Sequence, residues 1–191
     1  IHMRHKYDTR GLVLARTHAG EANTVVTLLT ADLGLVHARA QSLRKSGAKL
    51  AAGLTTLGES EVVLVRGKEG WRVAGAVLEE NWFNRIEHST ARSTAARVSG
   101  LLLRLVAGEE RDPELFGIVA GFFTALATLP EEDHESAEVL AALRVLAALG
   151  LDAGDIPGTM SEFTTPIFTQ IQSGRANYIR RINNGIAASG L

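Results

Sequence analysis

The apolar positions of this chain change period once. Up to Leu78 they fall in short β-branched or alternating runs: GLVLAR at Gly11–Arg16, TVVTLLT at Thr24–Thr30, LVHARA at Leu35–Ala40, EVVLVR at Glu61–Arg66 and WRVAGAVL at Trp71–Leu78. Runs of this kind, each bounded by turn residues, predict five strands. Asp32-Leu33-Gly34 and Gly67-Lys68-Glu69-Gly70 read as hairpin connections, with Gly34 available for a positive φ. Five short strands with an irregular segment between the third and fourth fit a five-stranded OB barrel. Periodicity does not fix strand order, so an SH3-like barrel is the alternative.

Beyond the strands the spacing turns helical. Asn84 followed by Glu87 has the form of a capping box, and Val98, Leu101, Leu102 and Leu105 recur at helical spacing, which predicts a helix over Arg85–Ala107. Asp112-Pro113-Glu114 is a second helix start, with Leu115, Ile118, Val119, Phe122, Phe123 and Leu126 on its buried face. A third helix is expected from the acidic Glu131–Glu135 stretch to Leu149, stopped by Gly150. Asp152–Ser161 is the most linker-like segment, and a final helix over Arg175–Ala188 turns Ile179, Ile182 and Ile186 inward. The fold class is therefore α+β, with a barrel over residues 4–80 followed by an α-helical domain over 84–191.

Composition narrows the class. At 46% hydrophobic the chain is ordinary for a packed protein, and with no cysteine it has neither disulfides nor cysteine-ligated zinc. Arg104 and Arg144 interrupt the longest apolar runs before they reach the ~20 residues a membrane helix needs, so a soluble, cytoplasmic protein is expected. Ile1 and His2 read as a cloning remnant, with the native chain expected to start at Met3.

The net charge of −1 hides an asymmetry. Residues 1–75 carry eleven bases and six acids, the remainder nine bases and fifteen acids. No acid lies between Asp32 and Glu59, and within that window Arg39 ends the third strand and Arg44, Lys45 and Lys49 follow it. Lys and Arg spaced along a loop of a small barrel can each displace a counterion from a phosphate backbone. Nucleic acid is thus the first partner to consider; the alternative is a loop whose charges only solvate it. His37 and Arg39 share one face of a strand by the period of two, and Arg16 and Arg66 end neighbouring strands and extend the patch. Tyr7 and Trp71 are the clear candidates for base stacking in this half, so backbone electrostatics should dominate and binding should tolerate sequence.

Enzymatic signals are missing. None of the six histidines sits in a metal-ligand spacing, and there is no GxSxG, no GxxxxGK[ST] and no GxGxxG. No catalytic residue, metal or cofactor is assigned.

The order of these segments resembles bacterial RecO, the recombination mediator family of DNA repair. RGLVLARTHAGEANTVVTLLTADLGLVHARAQSLRKSGAKL looks like the family's opening, with its Ala19-Gly20-Glu21 turn, VTLLT strand, GLV hairpin and basic loop. EVVLVRGKEGWRVAGAVLEE, the DPELF helix start, ALRVLAALGLD and the tail IRRINNGIAASGL are similar to later RecO segments. The resemblance implies an OB domain and a helical domain, binding to single- and double-stranded DNA, strand annealing, and partnership with RecR and single-strand-binding protein during RecA loading at the nucleoid. By position it makes Arg39, Arg44, Lys45 and Lys49 the DNA-contacting loop.

Three departures from the family pattern stand out. Leu149-Gly150-Leu151 leads straight into a linker where many members carry a four-cysteine zinc module. The second half of the loop is Ala51-Ala52-Gly53 instead of basic. Val139 and Leu140 stand where arginines often begin the third helix, which bears on the contact with single-strand-binding protein, with Arg144 as a substitute one turn on. The runner-up reading is a non-catalytic interaction adaptor with weak DNA affinity.

Overall fold

The structure is a computed structural model that describes residues 5–20, 22–41, 43, 49–106, 109 and 112–191. Five strands, β1 (His5–Ala19), β2 (Asn23–Thr30), β3 (Gly34–Gln41), β4 (Gly58–Gly67) and β5 (Gly70–Asn81), close into a barrel in the order β1-β2-β3-β5-β4. That order, with a short helix α1 (Lys49–Gly53) between β3 and β4, is the OB arrangement and settles the strand order against an SH3-like barrel.

The first strand is longer than its apolar run because it serves two partners. Residues 11–19 pair with β2 and residues 5–12 with β4, and a bulge between Val13 and Ala15 lets the strand bend from one to the other. Alternate side chains fill the interior: Val13, Val26, Leu28, Val36, Ala38, Val62, Leu64, Trp71 and Val73 form one buried cluster, with Leu54 added from the loop after α1. Gly34 takes φ 71°, the left-handed conformation its turn requires.

Close packing of α1 accounts for Gly53 in the Ala51-Ala52-Gly53 stretch. A Cβ on Gly53 would lie 2.6 Å from the Ala76 carbonyl oxygen of β5, so the helix reaches the barrel only where its residues are small. The close approach leaves no room for a side chain at Gly53, while Ala52 is exposed and is not held small by packing.

The single helix expected over residues 85–107 is two, α2 (Trp82–Arg85) and α3 (Ser89–Leu105). Asn81 Oδ1 accepts from the Asn84 amide at 3.2 Å and closes one turn, and the carbonyl of the fully buried Ile86 accepts from Arg92 Nε at 2.7 Å. The chain turns there, so Asn84 and Glu87 do not start α3; His88, in extended conformation, is its N-cap. α4 (Glu114–Thr128) begins as expected, the Glu114 amide donating to Asp112 Oδ1 at 2.8 Å, and its six predicted core residues are all buried.

A single 3-10 turn at Glu131–Asp133 leads into α5 (His134–Ala148), which is buried nearly all round. α6 (Thr165–Ser173) was not foreseen, while α7 (Arg175–Ala188) has the expected bounds, with Ile179, Ile182 and Ile186 half-buried. The chain forms two compact units, residues 1–84 with 108–116 and residues 85–107 with 117–191.

Candidate nucleic-acid interface

Register decides which barrel side chains share a face. Thr17 pairs with Val25, Val25 with Arg39, Arg39 with Arg72, Arg72 with Val65 and Val65 with Lys6. Directly paired residues point to the same side of a sheet. Their neighbours Val26, Ala38 and Trp71 point into the core, so this row faces outward and carries Lys6, Arg39 and Arg72 across four strands. One step along, His37 pairs with Thr27 and is exposed, its Nδ1 sharing a 3.0 Å hydrogen bond with Thr27 Oγ1.

His37 and Arg39 are therefore together, as the period of two predicts, and the face they occupy is that of strands 2 and 3, the usual ligand side of an OB barrel. Arg39 Nη2 lies 3.0 Å from Glu69 Oε2 and also donates to the Glu69 carbonyl at 3.0 Å, which ties it to the β4–β5 hairpin. Among the described residues Lys6 and Arg72 have no acidic partner. Asp8 shares the outward side with Lys6, two positions along β1.

The other sequence candidates separate. Arg16 pairs with Val26, a core position, and its Nη1 donates to the Leu54 carbonyl at 3.3 Å, so it faces the barrel's inner side and closes one end. Arg66 pairs with Trp71 on the inward side, with its guanidinium carbon 5.1 Å from the Trp71 ring centre and its Nη1 2.7 Å from Glu109 Oε1. Lys49 opens α1 and is exposed. Arg44 and Lys45 lie outside the described residues. Trp71 is 7% exposed and holds Glu109 Oε1 through its Nε1 at 2.6 Å, which removes it as a stacking platform; Tyr7, packed edge-on to Trp71 at 5.3 Å, keeps an exposed ring.

Lys6 and Arg72 were absent from the sequence-based patch. Lys6 lies in a stretch, HKYDTR, with no apolar alternation to mark a strand, and Arg72 joins Arg39 only through the parallel β3–β5 contact. No local signal carries that pairing.

The helical unit holds a different feature, a cavity of about 810 Å³ between α3, α5 and α7. Val98, Leu101, Val139, Ala142, Ile179 and Ile182 supply its apolar lining, and Glu131, Glu135 and Glu138 stand beside them with Arg97 and Arg104. Arg97 is held by Glu138 at 2.7 Å, which raises its pKa. Arg144 does not reach this cavity: it is fully buried, with Nη2 donating to the Pro157 carbonyl at 3.2 Å and its guanidinium 4.8 Å over the Phe163 ring. It therefore cannot stand in for the arginines missing at Val139 and Leu140. Among the described residues no cluster of three or more His, Asp or Glu is placed to hold a metal, and no helix is long and apolar enough to cross a membrane.

A five-stranded OB barrel whose outer side carries Lys6 on β1, Arg39 on β3 and Arg72 on β5, followed in the chain by a helical unit, is the class of protein these observations define. A family model described as the N-terminal domain of recombination protein O matches residues 3–78. The chain is 32% identical over 130 residues to the DNA repair protein RecO of Dehalococcoides mccartyi strain 195, a match covering 68% of this chain and 49% of that protein. It is also 32% identical over 132 residues to its counterpart in strain BAV1 of the same species, covering 69% and 50%. The chain belongs to the RecO family and spans about half the length of the relatives it matches.

Proposed function

We propose that this protein acts in recombinational DNA repair as a non-catalytic mediator of RecO type, binding single- and double-stranded DNA through phosphate contacts and promoting strand annealing. The row Lys6–Arg72–Arg39 on one exposed barrel face is the observation that carries this reading. Arg39 and Arg72 sit on neighbouring strands about 5 Å apart and Lys6 lies two strands further on, past Val65 of β4, a spread of charge that suits a backbone whose phosphates repeat along the strand. Lys49 and, by position, Arg44 and Lys45 extend the contact. RecR and, through it, RecA are the expected protein partners. The acids beside the helical cavity disfavour an acidic peptide there, so a single-strand-binding-protein tail is the least supported partner.

The test is a salt titration of oligonucleotide binding. Arg39→Ala/Arg72→Ala should flatten the slope of log affinity against log salt by about 1.4 on single strands, two phosphate contacts at ~0.7 each. Annealing of complementary strands should fall in parallel, and the loss should be the same for different sequences. An unchanged slope would remove this face from the function. The cavity on the helices favours a second reading, an interaction adaptor with weak DNA affinity, which gains if the parent protein binds oligonucleotides no more tightly than an uncharged barrel would.

A further inference from the structure

At the mouth of the barrel, next to the phosphate-binding face proposed above, the protein supplies its own anion. Glu109 Oε1 accepts from Arg66 Nη1 at 2.7 Å and from Trp71 Nε1 at 2.6 Å, all within the barrel unit. The arrangement around that oxygen has the parts of a phosphate subsite. Arg66 brings a guanidinium held over the Trp71 ring, Trp71 an indole N–H, and Tyr7 an exposed ring packed edge-on to Trp71. His5, exposed and paired with Arg66 across the β1–β4 ladder, stands at the same rim. A carboxylate oxygen and a phosphodiester oxygen accept from such donors with the same geometry.

We propose that Glu109 is a built-in stand-in for a nucleic-acid phosphate and keeps Arg66 and Trp71 out of the binding face until a strand displaces it. The proposal rests on the barrel's binding DNA. Displacement is within reach because the ion pair is exposed, the Arg66 side chain being 45% and the Glu109 side chain 33% accessible, and exposed pairs of this kind are weak and screened by salt. The freed indole N–H then needs an acceptor, and a phosphate oxygen supplies one. Glu109 thereby sets how many phosphates the barrel neutralises and lowers its affinity for short or weakly held strands.

Glu109→Gln tests this in the full chain. The amide oxygen still accepts from Trp71 while the counter-charge on Arg66 is gone, so an unchanged melting temperature is expected. Binding to a short oligothymidylate should tighten about threefold or more at low salt, and its salt slope should steepen by about 0.7, one added phosphate. Arg66→Ala should cost little in the parent and should erase the gain in the Glu109→Gln background. Glu79→Gln, which removes one exposed acid elsewhere on the barrel, controls for net charge and should leave the slope as it is. Replacing chloride by inorganic phosphate at equal ionic strength should not abolish the gain; selective loss there would make free phosphate the ligand and overturn the assignment to a phosphodiester. A parent that binds while Glu109→Gln binds identically, or no better than Glu79→Gln, overturns the role of Glu109 and leaves the face intact. Absence of binding in both overturns the two together.

Discussion

Arg144 shows what a charge costs when a side chain is used to fasten the fold. Its Nε and Nη1 are buried with no hydrogen-bond partner among the described residues, and burial pushes its pKa down to about 10, against the pull of Glu162. A base whose folded pKa is lowered costs stability at every pH below that value, and the cost eases only as pH rises through about 10. The packing of its stem and the contacts to Pro157 and Phe163 offset this. Arg144→Met, which keeps the volume and drops the charge, is expected to be neutral or stabilising by up to ~1–2 kcal/mol, whereas Arg144→Ala should cost ~2–4 kcal/mol through the cavity it leaves. Urea titrations of both variants check this; equal losses would mean that the charge itself holds the segment. At the same scale, the site was half legible in the sequence. The period of two placed His37 with Arg39, because it acts within one strand, but Arg16 and Arg66 were grouped with them as strand ends when register puts both on the inward side. Parity across strands is set by pairing partners far apart in sequence, and no local pattern encodes it.

Between residue and whole lie the pieces that brace each unit. After α5 the chain runs without regular structure to Thr164, and α7 fastens the start of that stretch: Arg181 donates to both carboxylate oxygens of Asp152, Nε at 3.0 Å and Nη2 at 2.6 Å, and to the Asp155 carbonyl at 2.8 Å. Both side chains are largely buried, 7% accessible for Asp152 and 18% for Arg181, and the guanidinium holds the Asp152 carboxyl below its ordinary pKa. Its stabilisation is therefore complete above the usual carboxylate pKa and lost as pH falls through the lower folded value. Asp152→Asn should destabilise by roughly 1–3 kcal/mol near pH 7, and the gap to the parent should narrow once the pH drops below about 4. Denaturant curves at neutral and acid pH read this directly; a gap that persists at pH 2 would refer the loss to packing. Across the barrel, Gly53→Ala should destabilise by ~1–3 kcal/mol, since the added methyl meets the backbone of β5 and not a movable side chain. A melting temperature unchanged by that substitution would show that α1 does not bear on the wall. Elements with a strong apolar period were legible, β2, β3, α4 and α5 above all. The start of β1, the break before α3 and the existence of α6 were not. The first is a polar strand made by pairing alone, the second rests on a backbone carbonyl taken by Arg92, and α6 was passed over although Thr164 at its N-cap, Pro166 in its first turn and the buried Ile167, Phe168 and Ile171 mark it.

For the molecule as a whole, the question is which kind of contact dominates when a strand meets the barrel. Trp71 is buried, so Tyr7 is the exposed ring the barrel's described mouth offers, and one stacked base contributes ~1–3 kcal/mol at most. Cations outnumber it: Lys6, Arg39 and Arg72 lie in one row, against Glu69 and Asp8. On the proposed reading, a surface of this composition reads charge density and ignores base identity. Two consequences distinguish it from a base-stacking barrel. An abasic strand of the same length as an oligothymidylate keeps every phosphate and loses every ring, so its affinity should fall by no more than about 150-fold, the ~3 kcal/mol upper share of one stacked base. Duplex of the same length presents more condensed counterions per contact, so the Lys6→Ala/Arg39→Ala/Arg72→Ala variant should flatten the salt slope by about 2.1 on single strands and about 2.7 on duplex, three contacts at ~0.7 and ~0.9 each. Loss of binding to the abasic strand by roughly a thousandfold or more, with the triple variant keeping the parental slopes, would mean that rings carry the interaction and that the cation row serves only to keep this half of the chain solvated.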